Sequence, residues 1–294
     1  MKRRFRMRSL FCGAPEAIRS NRGTDRECAV LRQRVLTAVV AVATILVVVF
    51  VLPDWATIIA LGIVILAGAW EWGAFVQADS IMTQTIYTLS VALALLATWF
   101  VMGNVPGSDR WILVAGLAGW LVALVLVFRF PTRFSPPFVV LAGLWILIST
   151  FLALAYLYLS PDGKRMLMLL LIIVWSADIG AYFAGRRYGR IKLAPSVSPG
   201  KSWEGVGGGL IVVAAVALLA SVFLDRPASI LLPLALASAA ISIVGDLTVS
   251  MFKRNASVKD SGRLFPGHGG VLDRIDSVSA AAPLFALFVV MAGA

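Results

Sequence analysis

The strongest chemical signal in the sequence is a set of polar side chains near the ends of the last two apolar segments. Asp246, Ser250 and Lys253 are spaced at i, i+4 and i+7, which places them on one stripe of a helix. Asp273 and Asp276, at i and i+3, share a face of the next helix. If these helices are antiparallel neighbours, Asp246 and Asp273 converge on one cation. Their hard oxygens favour Mg²⁺, which commonly takes a couple of carboxylates together with substrate phosphates.

Basic residues surround these acids and suit a substrate with several phosphate groups: Lys253, Arg254, Lys259, Arg263 and Arg274. Lys and Arg clamps beside a metal are a common arrangement around a transferring phosphoryl group. Membrane topology alone explains on which side the basic residues lie, but not the interleaved acids Asp246, Asp260, Asp273 and Asp276. The chain's one histidine, His268, precedes Gly269 and Gly270, which allow close approach of a ligand. We interpret His268 as lining a ligand, not as a general base.

A second cluster lies before the seventh apolar segment. Asp178 lies inside the sixth segment, where inserting a carboxylate costs about 2.5–3.5 kcal/mol, so we expect it to face a polar cavity or the bundle interior. A structural interhelical hydrogen bond is the alternative. Ser198, Lys201 and Ser202 precede a helix, and small residues, a lysine and a hydroxyl suit an anion site at a helix N-terminus. The alternative for Ser202 is an ordinary helix cap.

Glu71 is the exception in the otherwise nearly nonpolar first five apolar segments. It lies in the sequence Trp70-Glu71-Trp72. Tryptophans are enriched at membrane–water interfaces. We therefore interpret Glu71 as a carboxylate near the cytosolic interface, between belt tryptophans.

A scaffold of transmembrane helices must position these residues. The chain has 294 residues, of which 60% are hydrophobic and 14% charged, and its mean hydropathy is +0.91. This is too little charge to cover a soluble domain. About 20 apolar residues cross a hydrocarbon core. The sequence therefore predicts an all-α, polytopic membrane helical bundle of about nine transmembrane helices, roughly at 35–52, 55–76, 81–102, 111–128, 138–159, 166–185, 205–224, 229–252 and 271–292.

The distribution of basic residues predicts the orientation. With the N-terminus in the cytosol, 22 of the 26 Lys and Arg residues fall on the cytosolic side, as the positive-inside rule requires. The other four are Arg110, Lys164, Arg165 and Arg226. The net charge of +11 thus reflects topology, and no nucleic-acid partner is expected. We expect a multi-pass protein of a bacterial-type inner membrane, with the N-terminus cytosolic and the active site at the cytosolic membrane interface.

Chemistry is distributed unevenly among three regions of the chain. Residues 1–34 form a basic tail that we expect to be cytosolic and disordered. Residues 35–160 form an N-terminal transmembrane region with few polar groups. Residues 161–294 form a C-terminal transmembrane region that holds nearly every residue able to do chemistry, and we expect it to be catalytic.

The stretch from Ser250 to Asp276 resembles the signature of phosphatidate cytidylyltransferases, which are CDP-diacylglycerol synthases. The matching positions are Ser250, Lys253-Arg254, Lys259-Asp260, Gly262, Phe265-Pro266, His268-Gly269-Gly270 and Asp273-Arg274-Ile275-Asp276. The upstream cluster is also similar to that family, with Arg190-Ile191 where a Lys-His pair is common and Ser202 where Thr is common. The resemblance covers roughly residues 30–294.

This resemblance implies that CTP and phosphatidic acid react to CDP-diacylglycerol and pyrophosphate, with Mg²⁺ and with K⁺ as a candidate second cation. The lipid phosphate attacks the α-phosphorus of CTP directly. Catalytic roles follow for Asp246, Asp273, Lys253, Lys259 and Arg274, with Asp246 and Asp273 as metal ligands. Substrate-binding roles follow for Asp178, Ser198, Lys201, Ser202, Ser250, Arg254, Asp260, His268, Gly269, Gly270 and Asp276.

Two other functions remain open. A CTP-dependent lipid-alcohol kinase releases CDP instead of pyrophosphate, and the complete signature argues against it. A transporter or lipid-binding scaffold is expected to carry polar residues across the membrane midplane and broken helices. The expected partners are CTP, phosphatidic acid and membrane lipids, and the sequence leaves a homodimer open.

Overall fold

The computed structural model describes residues 37, 39–77, 80–105, 107–262 and 269–292. The chain divides into two compact units, Met1–Val51 and Leu52–Ala294. The described part of the first unit contains helix α1 (Val39–Phe50), which is shorter than the about 20 residues that a membrane crossing needs. The transmembrane segment predicted at 35–52 is therefore only a short apolar helix within the described residues. The basic tail, residues 1–34, lies outside the described part of the chain.

The second unit is built from helices that confirm the predicted membrane bundle. Eight described helices are long and apolar enough to cross a bilayer. In chain order they are α2 (Asp54–Val76), α3 (Ile81–Asn104), α4 (Ser108–Arg129), α5 (Pro136–Leu159), α6 (Gly163–Tyr188), α7 (Trp203–Phe223), α8 (Ala228–Asn255) and α9 (Leu272–Ala292). The predicted boundary near residue 160 falls in the short turn between α5 and α6.

A small hairpin between α6 and α7 departs from the all-helical prediction. Strand β1 (Lys192–Ala194) pairs antiparallel with β2 (Ser198–Ser202). The Trp203 amide extends this pairing by donating to the Ile191 carbonyl at 3.0 Å. Because β2 runs directly into α7, the hairpin holds Lys201 beside the start of that helix. The sequence analysis predicted the helix that follows Lys201 but not the strand that contains it.

Helices α5 and α9 lie at the centre of the bundle, whereas α3 and α7 are mostly exposed on its outside. Helix α9 packs against α2, α4, α5, α6 and α8. Its middle carries Ala280, Ala281 and Ala282, all fully buried, and small residues allow helices to approach closely within a membrane. The N-terminal end of α9, which bears Asp273, is therefore surrounded by helices from both halves of the chain.

A buried aromatic cluster joins α2, α5 and α8 near the ends that carry the polar residues. The indole N–H of Trp72 donates to the Val139 carbonyl at 2.9 Å. The Trp72 ring lies 5.0 Å from the ring of Phe252, measured between centroids. A Cβ atom at Gly143 would overlap the Trp72 indole nitrogen and the Tyr87 hydroxyl. Glycine at position 143 thus makes room for the indole between the helices.

We expect the substitution Gly143→Ala to lower the melting temperature in detergent. The added methyl group enters space held by Trp72 and Tyr87, and overpacking of this kind costs about 1–3 kcal/mol. Gly207→Ala is the matched control, because a Cβ atom there meets open space within a helix. Its melting temperature should stay level or rise slightly, and equal melting temperatures for the two variants would contradict the prediction.

Candidate active site

A cavity of about 500 Å³ lies between α6, β2, α7 and α8, within the size range of small-molecule sites. Its lining changes character along α8. Ala239 and Ile243 contribute an apolar surface, and Asp246 follows toward the C-terminal end of the helix. Lys201 from β2 and Arg186 from α6 also line the cavity. One cavity therefore combines apolar walls with acidic and basic side chains.

The charged part of the cavity is organised around an ion pair. The Lys201 ammonium lies 2.5 Å from Asp246 Oδ2, and each side chain is about one-quarter exposed, at 26% and 25%. The Ser250 hydroxyl donates to Asp246 Oδ1 at 3.1 Å, as expected from their i, i+4 spacing. Asp178 lines the same cavity and interacts electrostatically with Lys201 and Asp246. Its carboxylate also lies near the Ser277 hydroxyl of α9. Asp178 therefore faces a polar cavity, as expected, and the structural interhelical hydrogen bond stays the alternative interpretation.

Close packing of α6 against α7 shapes one wall of this cavity. A Cβ atom at Gly209 would lie 2.7 Å from the Ala177 carbonyl oxygen, and one at Gly208 would overlap the Ala184 side chain. Both glycines therefore bring the two helices into near backbone contact. The Ser202 hydroxyl accepts a hydrogen bond from the Gly205 amide at 3.2 Å, so it caps α7. The helix-cap interpretation of Ser202 is confirmed.

A second ion pair lies between α8 and α9 and is more deeply buried. The Lys253 ammonium lies 2.7 Å from Asp273 Oδ1, with side-chain exposures of 11% and 10%. The other carboxylate oxygen of Asp273 accepts from the amides of Ser261 at 3.1 Å and Gly270 at 3.0 Å. Gly269 has a φ of +80° and packs against the same oxygen. Asp273 therefore holds the loop and the lysine together.

Asp246 and Asp273 lie on adjacent helices, each facing its own lysine. The two helices approach closely at Gly245, where a Cβ atom would overlap the Asp276 carbonyl oxygen. Asp276 is 8% exposed and interacts electrostatically with Asp246 and Asp178. Within the described residues, no group of three or more acidic, His or Cys side chains is placed to enclose a metal ion. The carboxylates of Asp246 and Asp273 suit Mg²⁺ only if substrate phosphates complete its coordination. Protein-bound Mg²⁺ is usually coordinated in this way.

The remaining predicted residues lie around the same end of the bundle. Arg254 donates from Nε to the Val197 carbonyl at 3.4 Å, which ties the hairpin to α8. Three further residues with predicted roles are exposed: Lys259, Asp260 and Arg274. Arg274 interacts electrostatically with Asp178. The predicted ligand-lining residue His268 lies outside the described residues.

Glu71 lies at the predicted end of the bundle, but its interpretation as a residue between belt tryptophans is wrong. Its side chain is 7% exposed, and neighbouring Trp72 is fully buried. Its Oε1 accepts from the Val271 amide at 2.9 Å, and its Oε2 accepts from the Leu272 amide at 2.8 Å and the Ser261 hydroxyl at 2.7 Å. One signal could have found this site, because an acidic residue in an apolar segment needs a buried polar partner.

Comparison with known proteins gives consistent matches over nearly the whole chain. Residues 32–292 match the model of the cytidylyltransferase family. The chain is 39% identical over 282 residues to the phosphatidate cytidylyltransferase of Haemophilus influenzae, covering 88% of this chain and 98% of that protein. It is 40% identical over 275 residues to the enzyme of that name from Pseudomonas aeruginosa, covering 90% and 98%. The corresponding protein of Brucella suis is 37% identical over 227 residues, covering 69% and 83%.

Proposed function

Because this chain belongs to the cytidylyltransferase family, we propose that it is a phosphatidate cytidylyltransferase, which makes CDP-diacylglycerol and pyrophosphate from CTP and phosphatidic acid. It is a multi-pass membrane protein. The observation that carries the proposal is the cavity in which the Lys201–Asp246 pair adjoins apolar residues. A phospholipid substrate needs charged contacts for its phosphate and apolar contacts for its lipid portion, and this cavity offers both.

The reaction needs no covalent intermediate on the protein. An oxygen of the phosphatidic acid phosphate attacks the α-phosphorus of CTP. The bond from that phosphorus to the oxygen bridging the β-phosphate breaks, and pyrophosphate leaves with the electron pair. The attacking phosphate monoester is already anionic at neutral pH, so an activated Ser or Cys is unnecessary. The work left to the protein is positioning the two phosphates and stabilising their charge.

The ion pairs Lys201–Asp246 and Lys253–Asp273 suggest how the protein stabilises the charge of the substrate phosphates. When substrate phosphates arrive, the ammonium groups of Lys201 and Lys253 turn from their carboxylates to phosphate oxygens. Asp246 and Asp273 would then hold Mg²⁺, with K⁺ as the candidate second cation, and the ion supplies further neutralisation of phosphate charge. Further basic side chains at the same end would contact CTP or lipid phosphates: Arg254, Lys259 and Arg274.

The side of the membrane follows from the same charges. The polar cluster and most basic residues outside the tail lie at one end of the bundle, and the positive-inside rule assigns this end to the cytosol. CTP is a cytosolic substrate, and a lipid phosphate lies at the membrane surface. The proposed site therefore lies where the two substrates meet.

The proposed function is tested with the purified protein in detergent, labelled CTP and phosphatidic acid, with and without Mg²⁺. We expect labelled CDP-diacylglycerol and one pyrophosphate per turnover, and only with Mg²⁺ present. Release of CDP with transfer of phosphate to a lipid alcohol would show a kinase instead. Absence of any CTP turnover, with lipid binding or transport retained, would favour the transporter or scaffold.

A further inference from the structure

We propose that Glu71 is a positioning residue, which fixes both ends of the loop between α8 and α9 and thereby sets Asp273 in place for the transfer reaction. The proposal rests on the proposed function. Glu71 lies on α2, in the half of the chain where no catalytic role was expected. Its proposed role therefore differs from the roles assigned above to the residues that bind phosphates and metal.

The hydrogen bonds of Glu71 and Asp273 interlock on the same short segments. Ser261 donates its hydroxyl to Glu71 and its amide to Asp273. On the far side of the loop, the Gly270 amide donates to Asp273, and the next two amides, of Val271 and Leu272, donate to Glu71. The two carboxylates thus connect Ser261, on one side of the segment 263–268, with residues 270–272 on the other side.

Two glycines of the loop leave space for the Glu71 carboxylate. A Cβ atom at Gly262 or at Gly270 would overlap a Glu71 carboxylate oxygen. Ser261, between α8 and Gly262, is 8% exposed. At Gly262 and Gly270 the backbone therefore lies directly against the Glu71 carboxylate, so a shift of this carboxylate must shift these two residues.

The start of α9 explains why a carboxylate is tolerated at this depth. The Val271 and Leu272 amides lie at the first turn of α9, where unpaired N–H groups and the positive end of the helix dipole favour an anion. Hydrogen bonds to an ionised acceptor are roughly twice as strong as neutral ones. Glu71 therefore binds the end of α9 that carries Asp273, one residue beyond Leu272.

Both carboxylate oxygens of Glu71 accept hydrogen bonds. Glu71→Gln, which replaces one of these oxygens with an NH₂ group, is therefore a sharp test. Val271 donates to one oxygen and Leu272 to the other. Glutamine has one acceptor oxygen, so in either orientation its NH₂ group faces a backbone N–H. Aspartate keeps two acceptors but is shorter by one methylene group. Glu71→Gln should therefore displace the loop more than Glu71→Asp does.

We expect Glu71→Gln to lower kcat about 10–100-fold, the usual effect of losing a partner that orients a ligating or catalytic group. The melting temperature in detergent should also fall, because one buried backbone N–H loses its acceptor, so kcat is measured per folded molecule. Amide hydrogen exchange should accelerate in residues 258–262 and 269–276, and there alone. Glu71→Asp should restore part of kcat and of the exchange protection. A purely structural role would instead lower the amount of folded protein and leave kcat per folded molecule unchanged.

Asp54→Asn is the matched control, because Asp54 is a carboxylate at the opposite end of the same helix. It accepts from the Tyr158 hydroxyl at 2.9 Å and pairs with Lys164 at 3.3 Å. This variant should leave kcat and exchange in the loop unchanged. Wild-type kcat and wild-type loop exchange in Glu71→Gln would overturn the proposal.

Two further outcomes are decided by the same set of measurements. If Glu71→Gln does not fold, Ser261→Ala removes one hydrogen bond only, and it should reduce kcat several-fold at an unchanged melting temperature. An unchanged kcat in that variant would overturn the proposal. If the unchanged protein makes no CDP-diacylglycerol, the proposed function fails, and loop exchange in Glu71→Gln alone then decides the structural part of the inference.

Discussion

Asp246→Asn is expected to reduce CDP-diacylglycerol formation by about 10²–10³-fold or more, the effect of removing one preorganised electrostatic group, while the protein stays folded. Asparagine has the same shape and keeps an acceptor for the Ser250 hydroxyl, but it loses the charge that faces Lys201. It also loses the most accessible carboxylate proposed to hold Mg²⁺. Initial rates at saturating CTP and phosphatidic acid, over a range of Mg²⁺ concentrations, measure the effect.

Asp162→Asn is the control for this loss of charge. Asp162 lies in the turn before α6 and pairs with Arg165 and Arg226 at 3.6 and 3.8 Å. The residues of α6 that line the cavity begin only at Ala177, several helical turns later. Exposed pairs of this kind contribute little, so we expect full activity and an unchanged melting temperature. Full activity in Asp246→Asn as well would contradict the metal assignment and the role of the cavity.

Lys253→Met is expected to lower both stability and turnover. It leaves the Asp273 carboxylate at 10% exposure with only the Ser261 and Gly270 amides as donors. Breaking a buried ion pair costs about 3–5 kcal/mol, and a pair near the membrane surface should lie toward the lower end of this range. Turnover should fall about 10²-fold or more, because the lysine is also proposed to bind a substrate phosphate. Thermal melting and initial rates in the same detergent measure the two effects.

Lys164→Met is the control, because it breaks a lysine–aspartate pair that is exposed and lies at the opposite end of the bundle. There the side chains of Lys164 and Asp54 are 40% and 64% exposed, so stability should change by only about 0.5 kcal/mol or less. Lys253→Arg separates charge from shape, and it should keep more stability than Lys253→Met. Equal melting temperatures for Lys253→Met and Lys164→Met would contradict the importance of the buried pair.

The position of the polar residues bears on the competing functions. Asp178, Lys201, Asp246 and Asp273 gather near one end of the bundle, although α8 and α9 each contain an internal proline, Pro233 and Pro283. Both helices continue through these prolines, so neither is broken into half-helices. A transport path with polar groups across the midplane is not what the described residues form, and an interfacial site for a lipid phosphate accounts for them better.

Local patterns in the sequence determined the eight long helices and the partners that lie close along the chain. Apolar runs of membrane-spanning length produce helices because backbone groups in hydrocarbon must be paired within the segment. The stripe from Asp246 to Ser250 follows from helical spacing alone, and the hydrogen bond between them bears this out. The signature from Ser250 to Asp276 likewise sufficed to indicate the family that the matches identify.

Only the tertiary structure decided which distant groups face one another. Lys201 pairs with Asp246, and Glu71 reaches Ser261 across 190 positions of the chain, and no periodicity relates such residues. The physical reason is that a buried charge takes whichever partner the helix packing brings within reach. Spacing along one helix sets the face on which a side chain lies, whereas the packing of other helices against that face sets what it binds.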